Sequence, residues 1–136
     1  MVELILPYYL KQSFKGQIAI CASVAGYRGL PQSQPYGSTK AALINLTESL
    51  AVDLGDKIDI KLICPGFVKT RLTDKNTFSM PMRITPDQAA KKIAQGLHKK
   101  RFEITTPWLF TRLMKLLKVM PFSLYRLIGA RMQQED

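Results

Sequence analysis

Residues 18–24 read Ile-Ala-Ile-Cys-Ala-Ser-Val, and this short apolar run decides the fold class. Its length and its β-branched residues predict a strand in the interior of a sheet. Two further runs predict strands at residues 58–64 and 102–106. Helical spacing predicts helices at residues 1–13, 36–54, 85–100 and 107–132, the last with a break at Pro121. Strands that alternate with helices predict an α/β protein with a parallel sheet and right-handed crossovers.

Two sequence signals indicate where helices begin. Pro35 suits the first turn of the helix predicted at residues 36–54. The stretch Thr85-Pro86-Asp87-Gln88 combines a threonine cap, a proline, an acid in the first turn and a glutamine three residues after the cap. This pattern predicts a capping box.

The composition limits the class of protein. The chain has 136 residues, enough for one domain, and 46% of them are hydrophobic, which argues against a disordered protein. Two cysteines and one histidine exclude a disulfide scaffold and a Cys/His zinc site. Residues 1–10 lack the pattern of a signal peptide, and no apolar run reaches the about 18 residues of a transmembrane helix. We therefore expect a single cytoplasmic domain in which Cys21 and Cys64 are buried, reduced thiols.

Positive charge is concentrated towards the carboxyl end. Residues 91–136 hold ten Lys and Arg and three acids, which is +7 of the chain's net +10. Apolar residues lie between the cations of residues 107–136, which predicts a basic amphipathic helical tail. Such a tail fits packing on the sheet, packing on a second subunit, or binding to an anionic membrane surface. Because no nucleic-acid-binding module is recognisable, we expect no nucleic-acid partner.

Three residues are candidates for acid–base chemistry. Tyr36 and Lys40 stand four residues apart on a predicted helix and share a face. An ammonium close to a phenol favours the ionised phenol, which suits proton transfer. Ser23 ends a predicted strand, and ligands bind at the carboxyl ends of strands in open parallel sheets. Each signal alone also fits a structural residue: a helix-surface pair, or a serine that bonds the backbone.

The segment Pro65-Gly66-Phe67-Val68-Lys69-Thr70 follows the next predicted strand, so it also lies at the carboxyl edge of the sheet. We expect the Pro-Gly turn to expose backbone polar groups, and Thr70 adds a hydroxyl. These groups suit an amide or a phosphate, although a Pro-Gly turn is common in unrelated loops.

Three segments, in this order and at these separations, resemble the short-chain dehydrogenase/reductase family. They are Ile18-Ala19-Ile20-Cys21-Ala22-Ser23 with Ala25-Gly26, then Tyr36-Gly37-Ser38-Thr39-Lys40-Ala41-Ala42, then Pro65-Gly66-Phe67-Val68-Lys69-Thr70. The resemblance covers residues 16–107. It implies a Rossmann-like, doubly wound parallel sheet and an NAD(P)-dependent oxidoreductase that transfers hydride between a carbonyl and an alcohol.

The resemblance also implies residue roles. Tyr36 would exchange a proton with the substrate oxygen, Lys40 would assist it and bind the nicotinamide ribose, and Ser23 would orient and polarise the substrate carbonyl. Together with Tyr36 and Lys40, the residues that would bind the nicotinamide end of NAD or NADP are Pro65, Gly66, Val68 and Thr70.

The resemblance extends to the substrate and the assembly. Residues 71–83 would form the loop that covers the substrate. A small apolar carbonyl or alcohol would suit the apolar residues near the site, although ordinary loop packing explains them equally: Phe67, Leu72, Phe78, Met80 and Met82. The family resemblance implies a homo-oligomer that associates through helices at residues 1–13 and 36–54.

The chain departs from the family pattern because it contains no Gly-x-x-x-Gly-x-Gly turn and no Asn-Ala-Gly segment. Residues 1–136 therefore resemble the carboxyl-terminal half of the fold, an incomplete Rossmann-like sheet of about three strands with flanking helices. The leading hypothesis is an oxidoreductase chain that lacks the cofactor-binding half and is inactive alone. The alternative is a catalytically inactive fragment that acts as a dimerisation or membrane-surface interaction module.

Overall fold

The secondary structure alternates between helices and strands. The computed structural model describes residues 2–71, 73–75, 80 and 82–132. Its helices and strands are α1 (Val2–Lys11), β1 (Gln17–Cys21), α2 (Gln34–Leu54), β2 (Asp59–Pro65), α3 (Pro86–Leu97), β3 (Glu103–Thr106), α4 (Trp108–Val119) and α5 (Phe122–Met132). Single 3₁₀ turns, Val24–Gly26 and Thr73–Lys75, lie in the loops after β1 and β2.

The strands form one parallel sheet in the order β1-β2-β3, which confirms the predicted fold class. Ile18 pairs with Ile60 on one face, and Ile63 pairs with Ile104 on the other. Helices α2 and α4 pack on the first face, and α3 packs against β3 and β2 on the second. Helices on both faces of a parallel sheet make this a partial Rossmann-like arrangement.

Two apolar clusters on the first face of the sheet hold the fold together. One joins β2, α2, α4 and the loop after β1, and its buried members are Ala22, Val24, Tyr27, Ile44, Leu62, Cys64, Phe110 and Met114. The other contains Ile18, Ile58 and Ile60. Side chains of α1 and the end of α2 pack on this second cluster, and they include Ile5, Leu6, Tyr9, Leu50 and Leu54. Burial of these side chains is the main favourable term in folding.

Both sequence signals for helix starts are confirmed, although α2 begins at Gln34 and not at Tyr36. The Thr85 hydroxyl accepts a hydrogen bond from the Gln88 backbone N–H at 3.2 Å, and the Gln88 side chain accepts one from the Thr85 N–H at 3.0 Å. This reciprocal pair is the capping box that the sequence indicates. Pro35 lies in the first turn of α2, where a missing N–H costs nothing.

Several predicted element ends are wrong by a few residues. The strand predicted at 18–24 ends at Cys21, because Ser23 caps the following 3₁₀ turn with its side chain. The helix predicted at 85–100 ends at Leu97, and β3 begins at Glu103. The tail forms the two helices expected on either side of Pro121. Among the described residues, no helix is both long and apolar enough to cross a membrane.

The prediction that both thiols are buried is wrong for Cys21. Cys64 is fully buried in the first cluster, whereas Cys21 is exposed. Strand β1 lies at one edge of the described sheet, and Gln17, Ala19 and Cys21 on its second face are exposed, although the Gln17 amide donates to the Leu97 carbonyl oxygen at the end of α3. The apolar run therefore marks a strand that is covered on one face.

Candidate active site

Ser23 lies at the carboxyl edge of the sheet, just beyond the end of β1. Its extended backbone lets Oγ accept a hydrogen bond from the Ala25 N–H at 3.2 Å. The same hydroxyl donates to the carbonyl oxygen of Pro65, the last residue of β2, at 3.5 Å. Ser23 is 8% exposed, and these two contacts orient its hydroxyl. A bond of 3.5 Å is long, and a better acceptor such as a substrate carbonyl would displace it.

Tyr36 and Lys40 face the same edge from the first turns of α2. The Lys40 ammonium donates to the carbonyl oxygen of Cys21 at 3.2 Å and lies 5.6 Å from the centre of the Tyr36 ring. Tyr36 is half exposed. An ammonium carries three N–H donors, so Lys40 has donors left for a second partner.

Gly26 brings the loop of residues 22–33, here called the serine loop because it carries Ser23, into direct contact with α2. A Cβ at this position would lie 2.7 Å from the Lys40 carbonyl carbon and 2.8 Å from the Ala41 nitrogen. Only glycine permits this approach, because side-chain-bearing residues do not tolerate such distances. The contact joins the loop that carries Ser23 to the turn of helix that carries Lys40.

The Pro65–Thr70 segment is more tightly bonded within the protein than the sequence predicts. The Gly66 N–H, expected to be free, donates to the Thr106 carbonyl oxygen at 2.8 Å. A Cβ on Gly66 would lie 2.9 Å from Phe110, so this glycine serves packing. Val68 bridges to Ile84, which ties the segment to the residues before α3. The expectation of an exposed Pro-Gly backbone is therefore wrong for Gly66, because β3 extends alongside it.

Thr70 forms a compact turn with Thr73. The Thr70 N–H donates to the Thr73 hydroxyl at 2.8 Å, and the two hydroxyls lie 3.2 Å apart. Arg83 and Asp74 form an ion pair beside this turn. The Asp74 N–H also donates to the Thr70 carbonyl oxygen at 2.9 Å. None of these hydrogen bonds joins Thr70 to Ser23, Tyr36 or Lys40.

The apolar residues predicted near the substrate are only partly described. Phe67 packs on Phe110, with ring centres 5.2 Å apart, which favours ordinary loop packing for this residue. Met80 is half-buried and Met82 is exposed. Leu72 and Phe78 lie outside the described residues.

A partly buried polar network next to the loop that carries Ser23 was missed by sequence reasoning. Tyr27 donates a hydrogen bond to Glu103, and Glu103 also pairs with Lys115 of α4. Burial raises the pKa of Tyr27, and the hydrogen bond to Glu103 raises it further, so Tyr27 remains a donor. The Cys21 carbonyl that holds Lys40 was missed for a different reason: it acts through the backbone, which every residue has.

The site and the fold together define a class: an α/β protein with a serine, a tyrosine and a lysine at the carboxyl edge of a parallel sheet. The sequence profile of the short chain dehydrogenase family matches residues 1–80, which is more than half of the chain. The chain belongs to the short-chain dehydrogenase family.

Individual relatives agree with this assignment. An uncharacterized oxidoreductase of Myxococcus xanthus is 32% identical over 130 residues, which cover 95% of this chain and 51% of that protein. A short-chain dehydrogenase/reductase from Burkholderia phymatum, solved with NAD, aligns at a TM-score of 0.71 and 23% identity. The alignment covers 85% of this chain and 51% of the Burkholderia phymatum chain. A short-chain dehydrogenase from Burkholderia cenocepacia, solved with NADP, aligns at 0.68 and 18% identity, with coverages of 87% and 49%. The chain spans about half the length of these proteins.

Proposed function

We propose that this chain supplies the acid–base half of a nicotinamide-dependent oxidoreductase that interconverts a carbonyl and an alcohol. The observation that carries the proposal is the position of Lys40. Its ammonium is held by the Cys21 carbonyl beside the Tyr36 ring, and Cys21 precedes Ser23 by two residues. This arrangement supports the proposal, because a phenol, a cation and a hydroxyl lie near the edge where ligands bind in such sheets.

In the proposed reaction, one hydride adds to the carbonyl carbon and one proton adds to the carbonyl oxygen. When bound, a nicotinamide cofactor would supply the hydride for the carbonyl carbon, or take it up in the reverse direction. Tyr36 gives its phenolic proton to the carbonyl oxygen as the alcohol forms. Ser23 donates a hydrogen bond to that oxygen, and the charge of Lys40 stabilises the tyrosinate left behind.

The chain's residues fit the nicotinamide end of the cofactor. Lys40 has N–H donors left for ribose hydroxyls, and the half-exposed Tyr36 leaves room beside it. Thr70 and Val68 lie on the loop after β2, where the family resemblance puts the carboxamide. The sequence has no Gly-x-x-x-Gly-x-Gly turn. We therefore propose that pyrophosphate and adenosine, and with them the choice between NAD and NADP, depend on residues outside these 136.

We assign a small, apolar carbonyl or alcohol as the substrate class. Support comes from Met80 and Met82 in the segment that the resemblance identifies as the substrate loop. Assay of a panel of small ketones of similar size that differ in polarity would test this, since a preference for the polar ketones contradicts it.

Binding of half a cofactor tests the proposal directly. In saturation-transfer NMR with reduced nicotinamide mononucleotide, we expect contacts from the nicotinamide and ribose protons. Lys40→Met should weaken binding by about tenfold through loss of a charged donor. The matched control is Lys57→Met, an exposed lysine just beyond α2, which should leave binding unchanged. Equal binding by both variants contradicts the assignment of Lys40.

Turnover tests the role of Tyr36 separately. In a form of the protein that reduces a carbonyl substrate, Tyr36→Phe should lower kcat by about 10²–10⁴, the usual contribution of general acid–base catalysis. Nucleotide binding should persist, and Tyr8→Phe, at an exposed tyrosine of α1, serves as the control. Retained turnover in Tyr36→Phe rules out the assigned proton transfer.

A second candidate function, a non-catalytic dimerisation or membrane-surface module, is favoured by the outer surface of α4 and α5. The large apolar residues on these helices that are at least half exposed are Trp108, Leu109, Leu113, Leu116, Val119, Phe122 and Leu127. Cations such as Arg112 and Lys118 lie among them, the combination that binds anionic bilayers.

Vesicle sedimentation distinguishes a membrane-surface module from a dimerisation module. Membrane binding predicts co-sedimentation with phosphatidylserine vesicles but not with phosphatidylcholine vesicles, and less of it at high salt. Leu113→Glu with Leu116→Glu should abolish it, whereas Val52→Glu on α2 should not. If neither vesicle binds, the membrane module is excluded and this surface is left as a subunit contact.

A further inference from the structure

Helix α5 is joined to the serine loop through a single buried side chain. Within residues 122–130 of this helix, Tyr125 alone is buried, and the residues on either side of it are exposed. The Tyr125 hydroxyl donates a hydrogen bond to the carbonyl oxygen of Gly29 in the serine loop. The tail is therefore attached, in part, to the same loop that carries Ser23.

Arg28, the residue before Gly29, packs its guanidinium against the same tyrosine. The guanidinium carbon lies 4.6 Å from the centre of the Tyr125 ring and 5.9 Å from that of the Phe122 ring. Arg28 Nη1 donates to the carbonyl oxygen of Lys118, near the end of α4, at 3.1 Å. Within the part of the chain that the structure describes, its buried Nη2 has no hydrogen-bond partner and Arg28 forms no ion pair. Two ring faces and one carbonyl thus hold this cation, and we refer to Arg28, Gly29 and Tyr125 as the α5 clamp.

A short series of hydrogen bonds connects the α5 clamp to Ser23. Ser23 Oγ accepts from the Ala25 N–H at 3.2 Å, and the Gly26 N–H donates to the Ser23 carbonyl oxygen at 3.0 Å. These bonds belong to the 3₁₀ turn that begins directly after Ser23, and only Tyr27 separates this turn from Arg28. A displacement of the α5 clamp would therefore shift the turn that orients the Ser23 hydroxyl.

The Ser23 hydroxyl depends on this turn because its other contact is weak. Its hydrogen bond to the Pro65 carbonyl oxygen is 3.5 Å long. The Ala25 N–H uses a lone pair of Oγ and leaves the hydroxyl proton for an acceptor. The direction in which Ser23 can donate is thus set by the turn, and the position of the turn depends on where the serine loop is held.

We propose that Tyr125 is a positioning residue for carbonyl reduction: through the α5 clamp it holds the serine loop so that Ser23 donates to the substrate oxygen. The inference rests on the proposed function, which assigns that hydrogen bond to Ser23. The ring of Tyr125 stabilises the Arg28 cation and its hydroxyl holds the Gly29 carbonyl, so one side chain fixes two successive residues of the loop. Burial raises the pKa of Tyr125 against the opposing charge of Arg28, so the hydroxyl remains a donor.

Amide hydrogen exchange of the full chain, followed by NMR, tests whether the α5 clamp orders the turn. Tyr125→Phe keeps the ring beside Arg28 and removes the hydroxyl. We expect the Ala25 and Gly26 amides to exchange about three- to tenfold faster, the effect of one lost hydrogen bond on a local opening equilibrium. The matched control, Tyr8→Phe, removes the hydroxyl of an exposed tyrosine of α1 and should leave both rates unchanged. Unchanged rates in Tyr125→Phe, or faster exchange confined to α5, overturn the proposal, because the contact would then anchor only the tail.

A double-mutant cycle tests whether the α5 clamp acts through Ser23. In a form of the protein that reduces a carbonyl substrate, Tyr125→Phe should lower kcat about three- to tenfold and leave the KM for the nucleotide unchanged. In a Ser23→Ala background the same change should lower kcat no further, since no serine hydroxyl is left to position. An equal loss in both backgrounds overturns the proposal, because a general loss of stability acts independently of Ser23.

Ser23→Ala alone distinguishes failure of this inference from failure of the proposed function. Full turnover in Ser23→Ala contradicts the role of Ser23 in the proposed function, and the positioning role of Tyr125 is overturned with it. Reduced turnover in Ser23→Ala with full turnover in Tyr125→Phe overturns the positioning role only. Arg28→Lys is the second variant: it keeps the charge, loses the planar guanidinium and should match Tyr125→Phe in both experiments.

Discussion

The two thiols of this chain should differ sharply in reactivity. Burial raises the pKa of the Cys64 thiol to about 11, whereas Cys21 lies exposed at the end of β1. At about pH 7 we expect a disulfide reagent to modify one thiol in the folded chain, because the thiolate is the reactive form and access is needed. Cys21→Ser should abolish this reaction and Cys64→Ser should preserve it. Two reactive thiols in the parent chain would contradict the packing around Cys64.

Ionisation of the Cys64 thiol should make the free energy of unfolding depend on pH. The folded pKa of Cys64, about 11, lies above the unfolded value of about 8.5. Its neutral form therefore contributes fully below about pH 8.5, and that contribution is lost as the pH rises towards 11. Urea unfolding followed by circular dichroism should show a fall in stability over this range that Cys64→Ala reduces. An unchanged pH profile in the variant would contradict the shift.

Lys61 is a buried cation with a structural function. Its ammonium donates to the carbonyl oxygens of Lys99 and Arg101 at 2.6 and 2.8 Å, and lies 3.1 Å from the Asp59 carboxylate. Lys61→Met leaves both carbonyls unpaired, so we expect the free energy of unfolding to fall by about 3 kcal/mol. Lys57→Met, at an exposed position, should change it little. A loss of under about 0.5 kcal/mol in Lys61→Met would show that water replaces the ammonium.

At the scale of elements, α3 depends on its first turn. Thr85→Ala removes the hydroxyl that accepts from Gln88, and loss of an N-cap costs about 1 kcal/mol. Thr39→Ala is the matched control, since this exposed threonine only bonds back to Tyr36 within α2 and helix interiors tolerate alanine well. Denaturant unfolding measures both. An equal effect of the two variants would mean that the capping box contributes nothing measurable.

At the scale of the molecule, much apolar surface lacks cover. Among the residues that the structure describes, no strand pairs with the outer edge of β1, and on α2 the residue Val52 is 85% exposed. We predict that the isolated chain associates with itself, in part through α1 and α2, because open strand edges and apolar patches drive association. Val52→Asp should shift the sedimentation profile towards smaller species, whereas Val119→Asp on α4 should not.

Two results would contradict that prediction. A monodisperse monomer with one cooperative thermal transition would show that the three-stranded sheet is stable without association. Dissociation by Val119→Asp and not by Val52→Asp would place the contact in the tail, one of the arrangements that its amphipathic pattern allows.

The sequence by itself determined the order of elements, the parallel sheet, the capping box and the candidate residues Ser23, Tyr36 and Lys40. These features depend on local spacing: apolar periodicity, cap chemistry and residues four apart on one helix face. Each of these three signals lies within about twenty consecutive residues, so it can be recognised in the sequence without knowledge of long-range contacts.

Only the tertiary structure decided which of these residues have partners and which surfaces are open. The carbonyl that holds Lys40, the bond that occupies the Gly66 N–H, the burial of Lys61 and the exposure of Cys21 all depend on strands and helices distant in sequence. A backbone carbonyl has no residue-type signal, and whether a strand face is covered depends on where each helix packs. The register of β1, β2 and β3 and the packing of α3 settle these points, because they alone bring the groups within reach of one another.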